Sequence, residues 1–272
     1  MSKIKNFVKN FDSVIIVTHP GVGHIDEFLA TGLVANICEE AGIKFGVIKT
    51  KEIPTPAPGE GVIILDQMGG QEFGPHVLVV DHHGGDKTNA CTFMQVLEDV
   101  GIKIPSKGML GKILAAVNAN DTGINFGGYQ YGLLDLILVK QLWTAAQGEV
   151  SDGIVEMAKS IAGGLLKIIE KEAAKMASIK KVGDGVYLGG KEVSPPDVLE
   201  IDSGAEILIQ PNSQQAGCTS IVAITKNGIS GDTTKFLPKL EQSGAKIEFV
   251  HPKKFVVVVK GDPESVAEAI MA

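Results

Sequence analysis

Arginine is absent: all 25 basic residues of the 272-residue chain are lysine. Any phosphate site must therefore be made from lysine, histidine, backbone N–H groups or metal, without the bidentate guanidinium fork. No stretch approaches the ~20 consecutive apolar residues that a bilayer-spanning helix needs. The N-terminus, Met-Ser-Lys-Ile-Lys-Asn-Phe, carries no apolar signal core, so a cytoplasmic protein with no membrane partner is expected. Cysteine is scarce. Cys38, Cys91 and Cys218 are scattered, form no Cys-x-x-Cys, and read as reduced small hydrophobes. The formal net charge of −7 argues against a general nucleic-acid coat protein, although it leaves room for a local basic groove.

What is present is the composition of a soluble globular protein, with 44% hydrophobic and 21% charged residues. The length suits one large domain or two ordinary ones. Asp12–Thr18, Lys44–Thr50, Val62–Leu65 and Val77–Val80 read as strands, the last as a fully buried one. A helix is expected over Glu27–Ala41, ended by Gly42. Pro54, Pro56 and Pro58 mark an extended connector. From Asn89 to Lys180 the pattern turns helical, with candidates at Asn89–Val100, Lys107–Asn118, Gln130–Gln147 and Ser151–Ser178. After Lys181 short strands return, at Val186–Leu188, Ile207–Gln210, Ser220–Thr225, Lys246–Val250 and Phe255–Lys260, with helices at Thr233–Ser243 and Pro263–Met271. The expected fold is α/β: a mostly parallel sheet with helices on both faces over residues 1–182, then a smaller α+β domain over 183–272.

Acids and imidazoles collect just beyond the strands. His19, His24 and Asp26 follow the first, Asp66 the third, and Asp81, His82 and His83 the fourth; Asp121 follows an apolar helix. Open α/β sheets bind ligands at the carboxyl ends of their strands. Polar groups placed beside buried strands are costly unless satisfied, and a metal ion would satisfy them. Taken singly, each has an ordinary explanation: His19 as a turn histidine, Asp26 as a helix N-cap, Asp66 and Asp121 as turn formers. Their joint placement points to metal. Imidazole and carboxylate without thiolate suit Mn²⁺, with Mg²⁺ or another divalent cation such as Fe²⁺ or Zn²⁺ as substitutes. Two ions ~3.5–4 Å apart sharing one carboxylate are a usual device for phosphoester hydrolysis, and Asp66 is the natural shared acid. Two other motifs fail. Gly21-x-Gly23-x-x-Asp26 lacks the third glycine of a dinucleotide fingerprint and would aim an acid at the pyrophosphate. Gly85-Asp86-Lys87-Thr88 breaks the adjacency a P-loop requires, and no Gly-x-Ser-x-Gly supports an esterase.

Asp81-His82-His83 after a β-branched strand resembles the defining motif of the DHH phosphoesterase superfamily. The likeness is closer to its melanocyte-proliferating-gene (Myg) branch. Thr18-His19-x4-His24-Ile25-Asp26-Glu27-x-Leu29-Ala30 is similar to that branch's first motif, Asp66-x-x-Gly69-Gly70 to its second, and Asn120-Asp121-x-Gly123-Ile124 to its fourth. Phe249-Val250-His251-Pro252 with Phe255 also looks like that branch. The resemblance implies one ion on His19, His24 and Asp66, and another on Asp26, Asp66, His82 and Asp121. It implies His83 in contact with substrate phosphate, Asp81 orienting its neighbours, and a water between the ions as nucleophile. The Gly-Gly-Gly-His substrate loop of the bacterial phosphodiesterase branches does not occur here; His251 with Lys253 and Lys254, or the loop Gly228–Lys235, is the expected substitute for it. Read as structure, His251 is a strand-end residue and the two lysines a solvated turn.

The expectation is a two-metal phosphoesterase acting on a nucleotide or short oligonucleotide, its second domain closing over the substrate. The alternatives are a pyrophosphatase or polyphosphatase and, in another class, a non-catalytic metal-binding regulatory protein. A homodimer is among the assemblies the sequence allows.

Overall fold

The structure, a computed structural model, describes residues 2–82, 90–102, 108–122, 141–224 and 231–272, without the side chains of 108–110, 112 and 120–122. It divides into two compact units, Met1–Glu170 and Lys171–Ala272, and the division falls inside the helix Asp152–Ala177.

The first unit is built on a five-stranded sheet. Its strands are β1 (Ser13–Thr18), β2 (Lys44–Lys49), β3 (Glu60–Leu65), β4 (Val77–Val80) and β5 (Gly148–Glu149), in the order β4-β3-β1-β2-β5. The first four strands run parallel and in step: Thr18 lies opposite both Lys49 and Leu65, and Leu65 lies opposite Val80. Only β5 is antiparallel. Side chains alternate between the two faces, as strand geometry requires. Val14, Ile16, Val47, Ile63 and Leu65 enter the large core, while Val17, Val62 and Ile64 form a smaller cluster of their own. Both faces are thus apolar, which is why these strands read as unbroken runs rather than alternating ones. The expectation of a fully buried Val77–Val80 is corrected. All four of its residues are half-buried, because among the described residues β4 is an edge strand and pairs on one side alone.

The helices α1 (Lys3–Val8), α2 (Ile25–Glu40), α3 (Thr92–Asp99) and α4 (Gly108–Thr122) belong to this unit, and α5 (Asp152–Ala177) begins in it and runs into the second. Helix α2 is buried on nearly every side, packed against β1, β2 and β3 and against α1, α3 and α4. It begins two residues earlier than the spacing suggests. His24, with extended backbone at φ −101°, is the N-cap, so Asp26 lies within the first turn instead of capping it. Helices α2 and α5 cross almost backbone to backbone. A Cβ on Gly32 would sit 2.2 Å from the Ala158 carbonyl oxygen.

Helix α1 is short and relies on a distant cap. The Asp99 carboxylate, at the end of α3, accepts from the Ser2 hydroxyl at 2.6 Å and from the N–H of Lys3 and Ile4 at 2.9 and 3.0 Å. It satisfies donors that the helix itself leaves open.

The second unit is a six-stranded mixed sheet. Its strands are β6 (Lys180–Gly183), β7 (Val186–Leu188), β8 (Ile207–Pro211), β9 (Cys218–Ala223), β10 (Ile247–Val250) and β11 (Val256–Lys260), in the order β10-β11-β9-β8-β7-β6. Only β7 and β8 pair in parallel. Helices α6 (Pro195–Ile201), α7 (Leu237–Gln242) and α8 (Pro263–Met271) complete it. The single helix expected over Thr233–Ser243 is split into a 3₁₀ turn, Thr233–Phe236, and α7. Pro238, which has no N–H to donate, is tolerated only in a first turn, so the α-helix must start beside it. Among the described residues no helix is long and apolar enough to cross a membrane.

Two outcomes follow from this packing. Gly32→Ala should destabilise the first unit by about 2–3 kcal/mol, the upper range for overpacking, because backbone and not a flexible side chain is in the way; urea denaturation measures it. The Asp99 carboxyl is held below its ordinary value of 3.8: burial works against this, but the Ser2 hydroxyl and the Ile4 and Lys3 N–H groups outweigh it. A lowered folded pKa gives stability that is full above the ordinary value and lost as pH falls through the folded one. Amide exchange in α1 should therefore accelerate below about pH 4 relative to the rest of the unit, and Asp99→Asn should remove that dependence.

Candidate metal centre

The in-step pairing of β1, β3 and β4 fixes what comes next along each strand. His19, Asp66 and Asp81 are the first residues beyond three adjacent parallel ends. The chain runs from β1 to β2 on one side and places β3 and β4 on the other, so the strand order reverses between β1 and β3. Crevices at such reversals are where open α/β sheets hold ligands. Asp66 leaves its strand with φ 58°. A left-handed conformation is uncommon for a residue with a side chain, though aspartate tolerates it, and such strain concentrates at functional sites. It turns a fully buried side chain toward the neighbouring strand ends.

Asp66 is the centre of the group. Its Oδ2 lies 3.3 Å from His19 Nε2 and 3.7 Å from His24 Nδ1. Its Oδ1 lies 3.4 Å from His82 Nδ1 and accepts from the Thr92 hydroxyl at 3.1 Å. Two groupings of donor atoms result, each within 4.8 Å: His19, His24 and Asp66, and Asp66, Asp81 and His82. Each oxygen of one carboxylate thus serves a different set.

The partners of these residues orient them as metal ligands are usually oriented. His19 Nδ1 is 3.0 Å from the Pro20 carbonyl, which can only accept, so Nδ1 carries hydrogen and Nε2 is the nitrogen turned to the carboxylates. Asp81 Oδ2 accepts from Gly69 N–H at 2.6 Å, tying the end of β4 to the loop after Asp66. The His19 imidazole is pushed up to about 10. The carboxylates of Asp66 and Glu27 raise it, against the opposing effect of burial. A cation held at Nε2 would take the place of that proton.

Three residues that the sequence reading did not single out for the site belong to this edge: Glu27, Lys49 and Trp143. Glu27 is fully buried in the first turn of α2. Its Oε2 lies 2.7 Å from His19 Nε2, and its Oε1 accepts from Lys49 Nζ at 2.8 Å and from the Trp143 indole N–H. Lys49, 2% exposed, ends β2 beside Thr18, and its ammonium lies 4.6 Å from the Trp143 ring centre. Of the five charged residues buried among those described, three (Glu27, Lys49 and Asp66) meet at this one edge. Burying charge is costly, and such concentration marks candidate sites. The available signal was a lysine closing an apolar strand and a glutamate opening an apolar helix.

The other expected site residues fall elsewhere. Asp26 is wholly buried in the first turn of α2 and belongs to neither donor grouping. Asp121 lies in the last turn of α4, its side chain outside those described; His83 lies outside the described residues. His251, Lys253 and Lys254 belong to the second unit, on the turn between β10 and β11. There His251 Nδ1 accepts from Lys253 N–H at 3.1 Å, and its ring packs on Phe255 with centres 4.0 Å apart. The loop Gly228–Lys235 begins outside the described residues, and its later part enters the 3₁₀ turn.

No family model matches the chain. No curated protein matches it in sequence. Solved structures similar to it include a pGpG-specific phosphodiesterase from Vibrio cholerae, 12% identical over 94% of this chain and 96% of that one, with a TM-score of 0.26. Another is an exopolyphosphatase-related protein from Bacteroides fragilis, 10% identical over 98% and 92%, TM-score 0.28. A third is the exonuclease RecJ bound to manganese, 11% identical over 100% and 93%, TM-score 0.29. At TM-scores this low, the likenesses carry no functional weight.

Lys49→Met tests the buried charge pair. Removing one partner of such a pair costs about 3–5 kcal/mol, and His19 on the other oxygen of Glu27 places the expected loss toward the lower end. Urea denaturation of the first unit measures it.

Proposed function

We propose that the chain is a divalent-metal-dependent hydrolase of phosphoester bonds, of the DHH type and closest to the Myg branch, acting on a nucleotide or short oligonucleotide. The observation that carries this reading is the division of Asp66 between two donor groupings, Oδ2 toward His19 and His24 and Oδ1 toward His82. A carboxylate so placed suits two ions held side by side, and the mixed nitrogen and oxygen donors suit Mn²⁺.

His19, His24 and Asp66 would hold one ion. Asp66 and His82 would hold the other, with Asp81 within reach of it and Asp26 and Asp121 contributing as the sequence motifs imply, while His83 would contact the substrate phosphate. Ions held there supply Lewis-acid polarisation of a phosphoryl group and a lowered pKa for an attacking water. The chain's own residues do the positioning. Thr92 fixes the Asp66 carboxylate, Pro20 fixes the His19 ring, and Gly69 fixes Asp81. His251, Lys253 and Lys254 are assigned to substrate binding, where imidazole and ammonium replace the missing guanidinium.

The test is turnover of a substrate panel with Mn²⁺: di- and oligonucleotides, cyclic dinucleotides, and pyrophosphate. Nucleotide release is expected. Asp66→Asn keeps the left-handed backbone and the size of the side chain but loses its charge; it should lower activity by at least about 10³-fold while the protein stays folded by circular dichroism. Turnover of pyrophosphate alone would replace the substrate assignment. Bound Mn²⁺ without turnover of any member would replace the enzyme by a sensor.

A further inference from the structure

The centre and a helical turn far along the chain are joined through one side chain. Trp143 lies in the helical turn over residues 141–145 and is fully buried. Its indole N–H donates to Glu27 Oε1, its ring lies under the Lys49 ammonium, and its edge meets Phe28 with centres 5.4 Å apart. The same ring fills the space beside the turn after β1. A Cβ on Gly23 would stand 2.4 Å from indole Cδ1. This accounts for a glycine at position 23 without any nucleotide fingerprint.

The neighbours of Trp143 fasten that turn. Thr144 Oγ1 accepts from Gly23 N–H at 2.9 Å, and Gln147 Oε1 accepts from Gly21 N–H at 3.4 Å. The turn so held leads directly into His24. Glu27, whose carboxylate is aimed by Trp143 and Lys49, presents its other oxygen to His19. Both histidines that face Asp66 Oδ2 are therefore placed from residues 143–147, one through the Gly23 backbone and one through Glu27.

We propose that Trp143 is a positioning residue of the centre, and that divalent-ion binding at His19, His24 and Asp66 depends on it. This rests on the metal-centre reading above. Outer partners of metal ligands typically set tenfold or more of the affinity, so a side chain that orients two ligands at once is expected to matter at that level. Residues within an ordinary apolar core would alter stability and leave the affinity of the folded protein unchanged.

The experiment titrates the full chain with Mn²⁺ by calorimetry. Trp143→Phe keeps an aromatic ring but loses the N–H and part of the surface against Gly23; its Mn²⁺ affinity should fall by about tenfold or more. Thr144→Val removes the Gly23 anchor without touching Glu27, and guards against the first variant failing to fold; its affinity should fall in the same direction. Trp143 is the one tryptophan of the chain, so its fluorescence in the unmodified protein should change on saturation with Mn²⁺. Co²⁺ in place of Mn²⁺ gives a visible spectrum that should differ between the unmodified and Trp143→Phe proteins. If the unmodified chain binds Mn²⁺ and both folded variants bind it equally well, the proposal is overturned and the metal centre stands. If the unmodified chain binds no divalent cation, both fall together.

Discussion

Everything at the candidate centre depends on the register of three parallel strands. Because Thr18, Leu65 and Val80 are paired in step across β1, β3 and β4, the next residue along each strand emerges at the same height. Neighbouring strands lie about 4.8 Å apart, which is the spacing at which side chains on adjacent ends can share a small cation. A slip of one residue in any pairing would turn every side chain of that strand to the opposite face and carry His19, Asp66 or Asp81 out of reach. The two apolar faces of the sheet guard against this. Val14, Ile16, Ile63 and Leu65 fit one core, and Val17, Val62 and Ile64 the other, so a slipped strand still meets apolar partners but of the wrong shapes.

The charges at this edge are arranged so that burial does not leave them isolated. Glu27 divides its oxygens between a lysine and indole on one side and an imidazole on the other. Asp66 does the same between two imidazole groups, with Thr92 in support. The arrangement resembles a chain of acids and bases lying along the strand ends, from Lys49 through Glu27 and His19 to Asp66 and His82. Its acidic members outnumber its fixed cation, which leaves the edge attractive to divalent ions. In an arginine-free chain, lysines offer phosphate only point charges, without a bidentate fork.

Much of this could be read from the residues themselves. The four β-branched runs are the four parallel strands within a residue or two, because a sheet covered on both faces admits little else. Asp66 stood out as a lone acid after such a run. The edge position of β4 was not legible, since composition reports packed faces but not a missing neighbour along the hydrogen-bonding direction. Helices α1 and α6 escaped notice because each is too short for a periodic pattern to show. Glu27 and Lys49 escaped for another reason. A glutamate in a first helical turn and a lysine at a strand end are both ordinary surface choices, and only the fold shows that they face each other inside. Trp143 lay furthest from view, since more than a hundred residues separate it from the partner its indole meets.

The left-handed backbone at Asp66 narrows what evolution or a protein engineer can do here. Glutamate, one methylene longer, would meet both a disfavoured φ and a gap already filled by three imidazoles; asparagine or glycine would accept the backbone but not the charge. Retuning this centre toward a different cation is therefore a task for the surrounding imidazoles, and the aspartate is the fixed point about which any such redesign must turn.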